Sequence, residues 1–312
     1  MSRTVFVFPG QGSQYPGMGK DLMGFPFASE AFQKAEDVLG LDLKRICFAG
    51  SDEELRQTIN TQTAIFAVSH ICFELLKESG IQADMLAGHS LGEYNALVAA
   101  GMLQFEQGLE VIAKRAQLMQ DAAEKQDGAM MAVLGVSNET VEAVLECVRD
   151  EGVITVANYN CPGQAVISGE RRIVEKAGLL LKDRGAKRAV LLPVNGAFHT
   201  SMMQEAERRL VSFLEKTDFG DPIVPVCSNS TAQISASRSE LRGALLNQMT
   251  SPVLWQRSIE EMIRGGAELF IEVGPRKVLT GLIKRIDDSV QVLNVEDMSS
   301  FESVKAVLVP SS

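Results

Sequence analysis

The stretch that decides the fold is Ala83-Asp84-Met85-Leu86-Ala87-Gly88-His89-Ser90-Leu91-Gly92. Its short apolar run, 83–87, predicts a buried strand, and the pattern over 91–101 predicts a helix. A G-x-S-x-G motif between a strand and a helix is typical of a nucleophile elbow, in which two glycines permit a strained turn that exposes the serine hydroxyl. The alternative is a chance match in a chain with 26 glycines, which the strand and helix on either side disfavour.

This elbow makes Ser90 a candidate nucleophile, and the amide of Leu91 at the helix N-terminus a candidate donor to an oxyanion. A serine nucleophile needs a base, and the chain has three histidines. His70 lies in an apolar helical pattern, and His89, adjacent to Ser90 on a tight turn, is expected to point away from it. Elimination leaves His199. No acid lies in a recognisable motif between Ser90 and His199, so a backbone carbonyl or an amide is a candidate for the group that orients this histidine.

Arg115 lies on a helical pattern over 106–125, on the flank of its apolar stripe. An arginine in that position either extends its charged end to solvent or meets a buried anion. The pattern alone favours the first alternative.

A glycine-rich loop over 9–19 follows the strand predicted over 4–8. The loop lacks the third glycine of a dinucleotide-binding fingerprint, so that interpretation is weak. A second interpretation places the loop beside the elbow at the carboxyl edge of the sheet, where the amide of Gln11 is a second candidate oxyanion donor.

Apolar segments alternate with helical patterns, which predicts the α/β class with a parallel sheet covered on both faces. The order changes to β-α-β-β-α-β in the middle of the chain, which is typical of a ferredoxin-like unit. We therefore predict a large α/β domain over 1–127 and 197–312, with an inserted ferredoxin-like domain over 128–196. The predicted segments of the insert are 129–135, 138–150, 153–158, 164–168, 171–184 and 188–194, with a turn over 159–163.

Composition narrows the function classes. Among the 312 residues, 46% are hydrophobic and 22% charged, as in globular proteins, and the net charge of −10 disfavours nucleic-acid binding. No window approaches the ~20 apolar residues of a membrane span. The five cysteines are scattered and form no Cys-x-x-Cys or Cys/His pattern, which argues against a disulfide framework or a zinc site and favours the cytoplasm.

Several motifs together resemble the malonyl-CoA:acyl carrier protein transacylases, over essentially the whole chain. They are, in order, Phe8-Pro9-Gly10-Gln11-Gly12-Ser13-Gln14, Gly88-His89-Ser90-Leu91-Gly92-Glu93, Lys114-Arg115-Ala116-Gln117-Leu118-Met119-Gln120, Asn160-x-Pro162-Gly163-Gln164, Phe198-His199 and Gly274-Pro275. The resemblance implies a hydrolase-like α/β domain with an inserted ferredoxin-like domain, which agrees with the predicted organisation.

The resemblance also implies a reaction and its catalytic groups. Malonyl-CoA would donate its malonyl group to Ser90, with His199 as the base, and the phosphopantetheine thiol of an acyl carrier protein would accept it. No metal and no resident cofactor is implied, since the phosphopantetheine is carried by the partner. The amides of Gln11 and Leu91 would form the oxyanion hole.

Two further roles follow from the resemblance. Arg115 would pair with the free carboxylate of the malonyl group, in place of the solvent-directed arrangement that the helical pattern favours. The backbone carbonyl of Gln248 would orient His199, which accounts for the missing acid.

The chain departs from the family pattern at two positions. Ala116 stands where many members have glycine, with little consequence expected. The segment 196–199 resembles the malonyl-type signature of polyketide-synthase acyltransferases, in which Phe198 leaves little room for an α-methyl group, but Gly196 replaces the usual histidine. We therefore expect malonyl to be preferred over methylmalonyl.

The segment 171–188 is a candidate docking surface for the carrier protein, because carrier proteins are typically acidic. Its basic residues are Arg171, Arg172, Lys176, Lys182, Arg184, Lys187 and Arg188, against Glu175 and Asp183. A solvated helix face without a partner is the alternative.

Three other functions compete with malonyl transfer. An acyl hydrolase would use the same serine and histidine but admit water, and would not need Arg115. A binding protein with an inactive site is disfavoured by the intact Ser90, His199 and Arg115, and an oxidoreductase by the incomplete glycine fingerprint. Fatty-acid and polyketide carriers are both compatible with the resemblance, and the segment 88–97 leans towards the polyketide kind.

Overall fold

The computed structural model describes residues 3–194 and 196–308, which form two β-sheets flanked by helices. The strands are β1 (Arg3–Phe8), β2 (Met85–Gly88), β3 (Gly128–Leu134), β4 (Ile154–Cys161), β5 (Gln164–Glu170), β6 (Arg188–Leu191), β7 (Val226–Cys227), β8 (Ile234–Ser235), β9 (Ala267–Val273) and β10 (Gln291–Val295). The helices are α1 (Pro26–Leu39), α2 (Leu43–Ala49), α3 (Asp52–Arg56), α4 (Thr58–Glu78), α5 (Gly92–Ala99), α6 (Phe105–Lys125), α7 (Asn138–Val148), α8 (Arg171–Asp183), α9 (Gln204–Leu214), α10 (Arg238–Leu246), α11 (Trp255–Arg264), α12 (Val278–Ile286) and α13 (Met298–Leu308).

The large sheet has the strand order β10-β9-β1-β2-β7-β8 and is parallel except at β8, which pairs antiparallel with β7. The α/β class and the parallel sheet are thereby confirmed, with β8 and β10 as strands that the sequence patterns miss. The apolar run over 223–228 predicts a longer strand than β7, and this prediction is wrong in length, because only Val226–Cys227 pairs in the sheet. Pro222 and Pro225 lack the amide hydrogen that a longer ladder would need.

The second sheet is antiparallel, with the order β4-β5-β3-β6, and α7 and α8 pack on one of its faces over a separate apolar core. The predicted ferredoxin-like β-α-β-β-α-β order is confirmed. The predicted turn over 159–163 is too long, because β4 continues to Cys161 and pairs with Gln164. Only Pro162-Gly163 connects the two strands, and Gly163 adopts a left-handed φ of 73° that suits glycine.

The strands of the second sheet lie between residues 128 and 191. The domain boundaries at 127/128 and 196/197 stay predictions, and residues 1, 2, 195 and 309–312 of the predicted domains lie outside the described residues. Within the described part of the chain, no helix combines the length and the apolar character that crossing a membrane requires.

Hydrogen bonds join the small sheet to the loop before α11 and to α12, both of which belong to the rest of the chain. The amide of Tyr159 on β4 donates to the carbonyl of Val253 at 3.0 Å, and the amide of Val253 donates to the carbonyl of Ala157 at 2.8 Å. On the other side of the β4–β5 hairpin, the guanidinium of Arg285 donates to Gln164 Oε1 at 2.6 Å. These bonds place the small sheet against the segment around residue 250, where the functional groups described next are found.

Candidate active site

The elbow at Ser90 depends on two close backbone approaches. Ser90 has a φ of 51°, which is strained for a residue with a side chain. A Cβ atom on Gly88 would lie 1.9 Å from the carbonyl carbon of Gly92, and one on Gly92 would lie 2.0 Å from the carbonyl oxygen of Phe8. Only glycine fits at either position, so the motif follows from the packing of the strand against the helix.

The structure brings Ser90 and His199 together. Ser90 Oγ lies 2.8 Å from His199 Nε2, and His199 Nδ1 lies 3.0 Å from the carbonyl oxygens of both Gln248 and Ser251. Carbonyls only accept hydrogen bonds, so Nδ1 carries the proton and Nε2 is free to accept the hydroxyl proton of Ser90. Burial, together with the charge of Arg115, lowers the pKa of His199 to about 3. The imidazole is therefore neutral near neutral pH, as a base must be.

The other two histidines do not contact Ser90. His89 Nε2 lies 2.9 Å from Asn160 Oδ1, and its ring lies beside Trp255. The ring of His70 stacks on Phe105 with a centroid distance of 4.0 Å. Both positions agree with the elimination that selected His199 from the sequence.

Arg115 lies in the interior with only 1% of its surface exposed. The helical pattern's expectation of a solvent-directed arginine is therefore wrong. The guanidinium donates from Nη2 to Ser90 Oγ at 3.0 Å and to Gln248 Oε1 at 3.2 Å, and from Nη1 to Gln62 Oε1 at 2.7 Å. Burial lowers the pKa of Arg115, but an arginine stays protonated at neutral pH. A positive charge thus lies directly beside the candidate nucleophile.

The two candidate oxyanion donors lie at the same edge of the sheet. Phe8 and Gly88 are paired in the β1–β2 register, so Gln11 and Leu91 each follow a neighbouring parallel strand by three residues. The Gln62 amide contacts the Gln11 side chain at 3.5 Å, which places the loop of Gln11 near Arg115. Among the residues that the structure describes, neither the Gln11 nor the Leu91 amide donates to a protein acceptor. Their role as an oxyanion hole stays a prediction.

Phe198 is buried in the main core, and its ring lies against Gly196. A Cβ atom on Gly196 would lie 2.7 Å from ring atom Cε1 of Phe198 and 3.0 Å from the Cβ of Ala123. The departure of residue 196 from the family signature therefore has a packing reason, since a histidine there would require the Phe198 ring to move. The selectivity role of Phe198 stays a prediction.

Asn229, which no sequence pattern singles out, holds the elbow from the loop after β7. Its Oδ1 accepts from the amide of Ser90 at 2.6 Å, and its Nδ2 donates to the carbonyl of Gly88 at 2.6 Å. Asn229 follows β7, a neighbour of β2 in the sheet. A polar residue two positions beyond a buried parallel strand is a signal that can identify it.

Glu93 and Gln62 were also missed as functional residues. Glu93 is buried on the first turn of α5, where it accepts hydrogen bonds from Gln248 and Asn229. Burial raises the pKa of Glu93 to about 7. A polar residue inside a strongly apolar helix, as Gln62 is on α4, is a signal of a buried polar contact.

The basic segment 171–188 divides into two parts. Arg171 pairs with Asp127 at 2.7 Å, and Lys176 pairs with Glu151 at 2.5 Å. Four basic residues lie in the last turn of α8 or after it. All four are exposed, and none of them forms a salt bridge with a described residue. These four, which we name the basic edge, are Lys182, Arg184, Lys187 and Arg188.

Comparisons with known proteins agree with this geometry. The sequence profile described as "Acyl transferase domain" matches residues 5–307. The malonyl CoA-acyl carrier protein transacylase of Bacillus subtilis (strain 168) is 43% identical over 304 residues, covering 97% of this chain and 96% of that protein. The protein of the same name from Escherichia coli (strain K12) is 39% identical over 302 residues, covering 96% and 98%.

Solved structures give the same answer. An acyl carrier protein S-malonyltransferase from Vibrio cholerae superimposes with a TM-score of 0.94 at 40% identity, covering 97% of this chain and 100% of that one. A malonyl-transacylase in complex with its type II PKS acyl-carrier protein also gives a TM-score of 0.94, at 39% identity, covering 97% and 98%. These matches confirm the resemblance that the sequence motifs indicate.

Proposed function

We propose, since the chain belongs to the acyl transferase domain family, that it transfers the malonyl group of malonyl-CoA to the phosphopantetheine thiol of an acyl carrier protein. One observation carries the proposal: a buried arginine donates a hydrogen bond to the oxygen of the nucleophilic serine. A site with this charge at this place suits an acyl group that ends in a carboxylate.

The first half-reaction acylates Ser90. Its oxygen attacks the thioester carbonyl while His199 Nε2 accepts the hydroxyl proton, and the carbonyl electron pair moves to the oxygen. The amides of Gln11 and Leu91 stabilise that oxyanion. As the tetrahedral intermediate collapses, the carbon–sulfur bond breaks, and His199 returns its proton to the sulfur of CoA.

The second half-reaction reverses these steps with a different thiol. His199 takes the proton of the carrier's phosphopantetheine thiol, whose sulfur attacks the malonyl ester. Ser90 leaves with the proton from His199, and the enzyme is regenerated. Ser90 and His199 supply every acyl and proton step of this cycle and Arg115 binds the carboxylate, so we propose that no resident cofactor or metal is needed.

Arg115 influences both the choice of substrate and the basicity of His199. In the free enzyme, its charge helps to keep the pKa of His199 low, and its Nη2 donates to Ser90 Oγ. A malonyl carboxylate that pairs with the guanidinium offsets that charge, which raises the basicity of His199. An acyl group without a carboxylate leaves the buried guanidinium without an anion in direct contact, which is costly.

The carrier is proposed to dock on the basic edge, because four exposed cations there are free to meet an acidic partner. We also propose that the enzyme prefers malonyl over methylmalonyl, that its carrier is of the polyketide kind and that it is located in the cytoplasm. Free cysteines at all five positions suit a reducing compartment.

A transfer assay separates this function from the acyl hydrolase alternative. The enzyme is mixed with malonyl-CoA and a phosphopantetheinylated carrier protein, and malonyl-carrier, free CoA and free malonate are quantified by mass spectrometry. We expect equal amounts of malonyl-carrier and CoA, with parallel double-reciprocal plots that indicate a ping-pong mechanism. CoA release matched by free malonate, without malonyl-carrier, would identify a hydrolase.

A further inference from the structure

Glu93 is an acid in the interior of the site that the proposed chemistry does not use. It is 2% exposed and lies three residues after the nucleophile, on the first turn of α5. Its Oε2 accepts from Gln248 Nε2 at 2.5 Å, and its Oε1 accepts from the backbone amide of Asn229 at 3.2 Å. Both oxygens therefore have protein donors, and a carboxylate can accept from both at once.

The two donors are the residues that hold the reacting groups. Asn229 clamps the elbow through the Ser90 amide and the Gly88 carbonyl. Gln248 holds His199 through its backbone carbonyl, and its Nε2 also donates to the carbonyl of Ser90 at 2.9 Å. Glu93 thus fixes the two residues that together fix the nucleophile and its base.

The side-chain amide of Gln248 also links Glu93 to the substrate arginine. Its Oε1 accepts from Arg115 Nη2 at 3.2 Å, while its Nε2 donates to Glu93. The amide group is planar, so these contacts align the guanidinium, the amide and the carboxylate in one chain of hydrogen bonds that polarise one another. The negative charge of Glu93 therefore lies one amide group away from the positive charge of Arg115.

We infer that Glu93 is a positioning residue, which acts through Gln248 and Asn229 to hold Ser90, His199 and Arg115 in register and provides the buried counter-charge to Arg115. In this arrangement the acid of a serine–histidine–acid triad is absent from its usual contact with histidine. The acid Glu93 instead follows Ser90 by about one helical turn, and it acts on the reacting groups through Gln248 and Asn229. The inference rests on the proposed malonyl transfer.

The arrangement carries a pH dependence, because protonation removes the charge of Glu93, turns one of its oxygens into a donor and so weakens its bonds from Gln248 and Asn229. The titratable groups whose charges act on Glu93, or on which its charge acts, are Arg115 on α6, Tyr94 beside it on α5 and Cys227 on β7. His199 titrates far below neutrality, and burial raises the pKa values of Tyr94 and Cys227 to about 12. Glu93, with its pKa raised to about 7 by burial and held down in part by Arg115, is the group of this set that titrates near neutral pH.

We therefore expect kcat/KM for malonyl-CoA to rise with pH through about 7, as Glu93 loses its proton. Bound malonyl offsets the charge of Arg115 and so removes part of the support for ionised Glu93. The rise of kcat with pH, which reports the substrate-bound enzyme, is then expected at a higher pH than the rise of kcat/KM.

The test compares Glu93→Gln with Glu272→Gln. Glu272 on β9 is a matched control, because it is equally buried, its pKa is also raised to about 7, and its carboxylate accepts from Leu279 and Thr280 at the start of α12, away from Ser90. Glu93→Gln is expected to lower kcat by about tenfold or more, to leave KM for malonyl-CoA within about twofold, and to remove the rise through pH 7. Glu272→Gln is expected to keep both the wild-type kcat and the wild-type pH profile.

Circular dichroism and thermal unfolding establish the folded fraction of each variant, and rates are expressed per folded enzyme. Glu93→Asp provides a second variant that keeps the charge but shortens its reach. It is expected to retain the rise through pH 7 with a kcat lowered by about threefold or more, and it decides the matter if Glu93→Gln does not fold.

The inference is overturned if Glu93→Gln behaves like Glu272→Gln per folded enzyme, or if Glu93→Asp matches the wild type while the wild-type profile is flat around pH 7. Wild-type enzyme that transfers no malonyl group at all would instead overturn the proposed function. The two failures are therefore distinguished by the wild-type reaction in the same experiment.

Discussion

At the scale of single residues, the chemistry depends on where charge is buried. Arg115 is the buried cation beside Ser90, and its side chain forms no salt bridge with a described residue. A guanidinium in that state gains most from a ligand that brings its own negative charge. We therefore propose that Arg115 links substrate choice to catalysis.

Replacing Arg115 by alanine would remove the proposed partner of the malonyl carboxylate. We expect kcat/KM for malonyl-CoA to fall by about 100-fold or more, which corresponds to about 3 kcal/mol for a lost charged pair. The value for acetyl-CoA, which has no free carboxylate, is expected to fall far less. Lys114→Ala is the control, because it changes the adjacent residue of the same helix, which is partly exposed. Equal losses for both substrates would contradict the assigned role of Arg115.

Some residues of the site can be predicted from the sequence, and others cannot. Ser90 and His199 are found from local patterns, because an elbow has a short motif and only three histidines compete. Asn229 and Glu93 are not found, because their partners lie 139 and 155 positions away in sequence and no periodicity marks such contacts. For Arg115, the helical pattern gives the wrong environment, since a helical wheel cannot tell a solvated flank from a flank covered by another buried polar group.

At the scale of elements, the strand–elbow–helix unit is held by glycines for steric reasons. Gly92 begins α5 in contact with the carbonyl of Phe8 on β1, so the packing of the helix against the sheet has no room for a side chain. The order of strands and helices along the chain can be predicted from sequence, because apolar periodicity and turn residues are local signals. A strand as short as β8 is not predicted, because two residues are too few to show an alternating apolar pattern.

Gly92→Ala is expected to destabilise the protein by about 3 kcal/mol or more, because the added methyl group meets backbone atoms that cannot rotate away. Gly281→Ala is the matched control in α12, where a Cβ atom would meet no atom within 4 Å. That change is expected to be neutral or to stabilise by up to about 1 kcal/mol, from helix propensity. Urea unfolding measures both, and similar stabilities for the two variants would refute the steric account of the elbow.

At the scale of the whole molecule, charge is distributed unevenly. The chain has a net charge of −10, yet the basic edge offers four exposed cations at the end of α8 and the start of β6. Two of the earlier basic residues of that segment are neutralised by Asp127 and Glu151. We therefore expect an acidic carrier to be attracted to the basic edge and repelled by most of the rest of the surface.

Reversing Lys182 and Arg184 to glutamate is expected to raise KM for the carrier protein by about five- to tenfold at low salt, with KM for malonyl-CoA unchanged. The difference is expected to shrink at about 0.5 M salt, where exposed charges are screened. Lys44→Glu with Arg56→Glu is the control, because it makes the same change in net charge at exposed positions on α2 and α3. Equal effects of the two double variants would mean that net charge, rather than the basic edge, governs docking.

The central claim is that Ser90 carries a malonyl group whose carboxylate Arg115 recognises. The most direct test is intact-protein mass spectrometry after a short incubation with malonyl-CoA alone, with Ser90→Ala and Arg115→Ala in parallel. We expect one malonyl adduct on the wild type, none on Ser90→Ala and a weaker one on Arg115→Ala. An adduct that persists in Ser90→Ala, or a wild type that neither gains mass nor releases CoA, would contradict it.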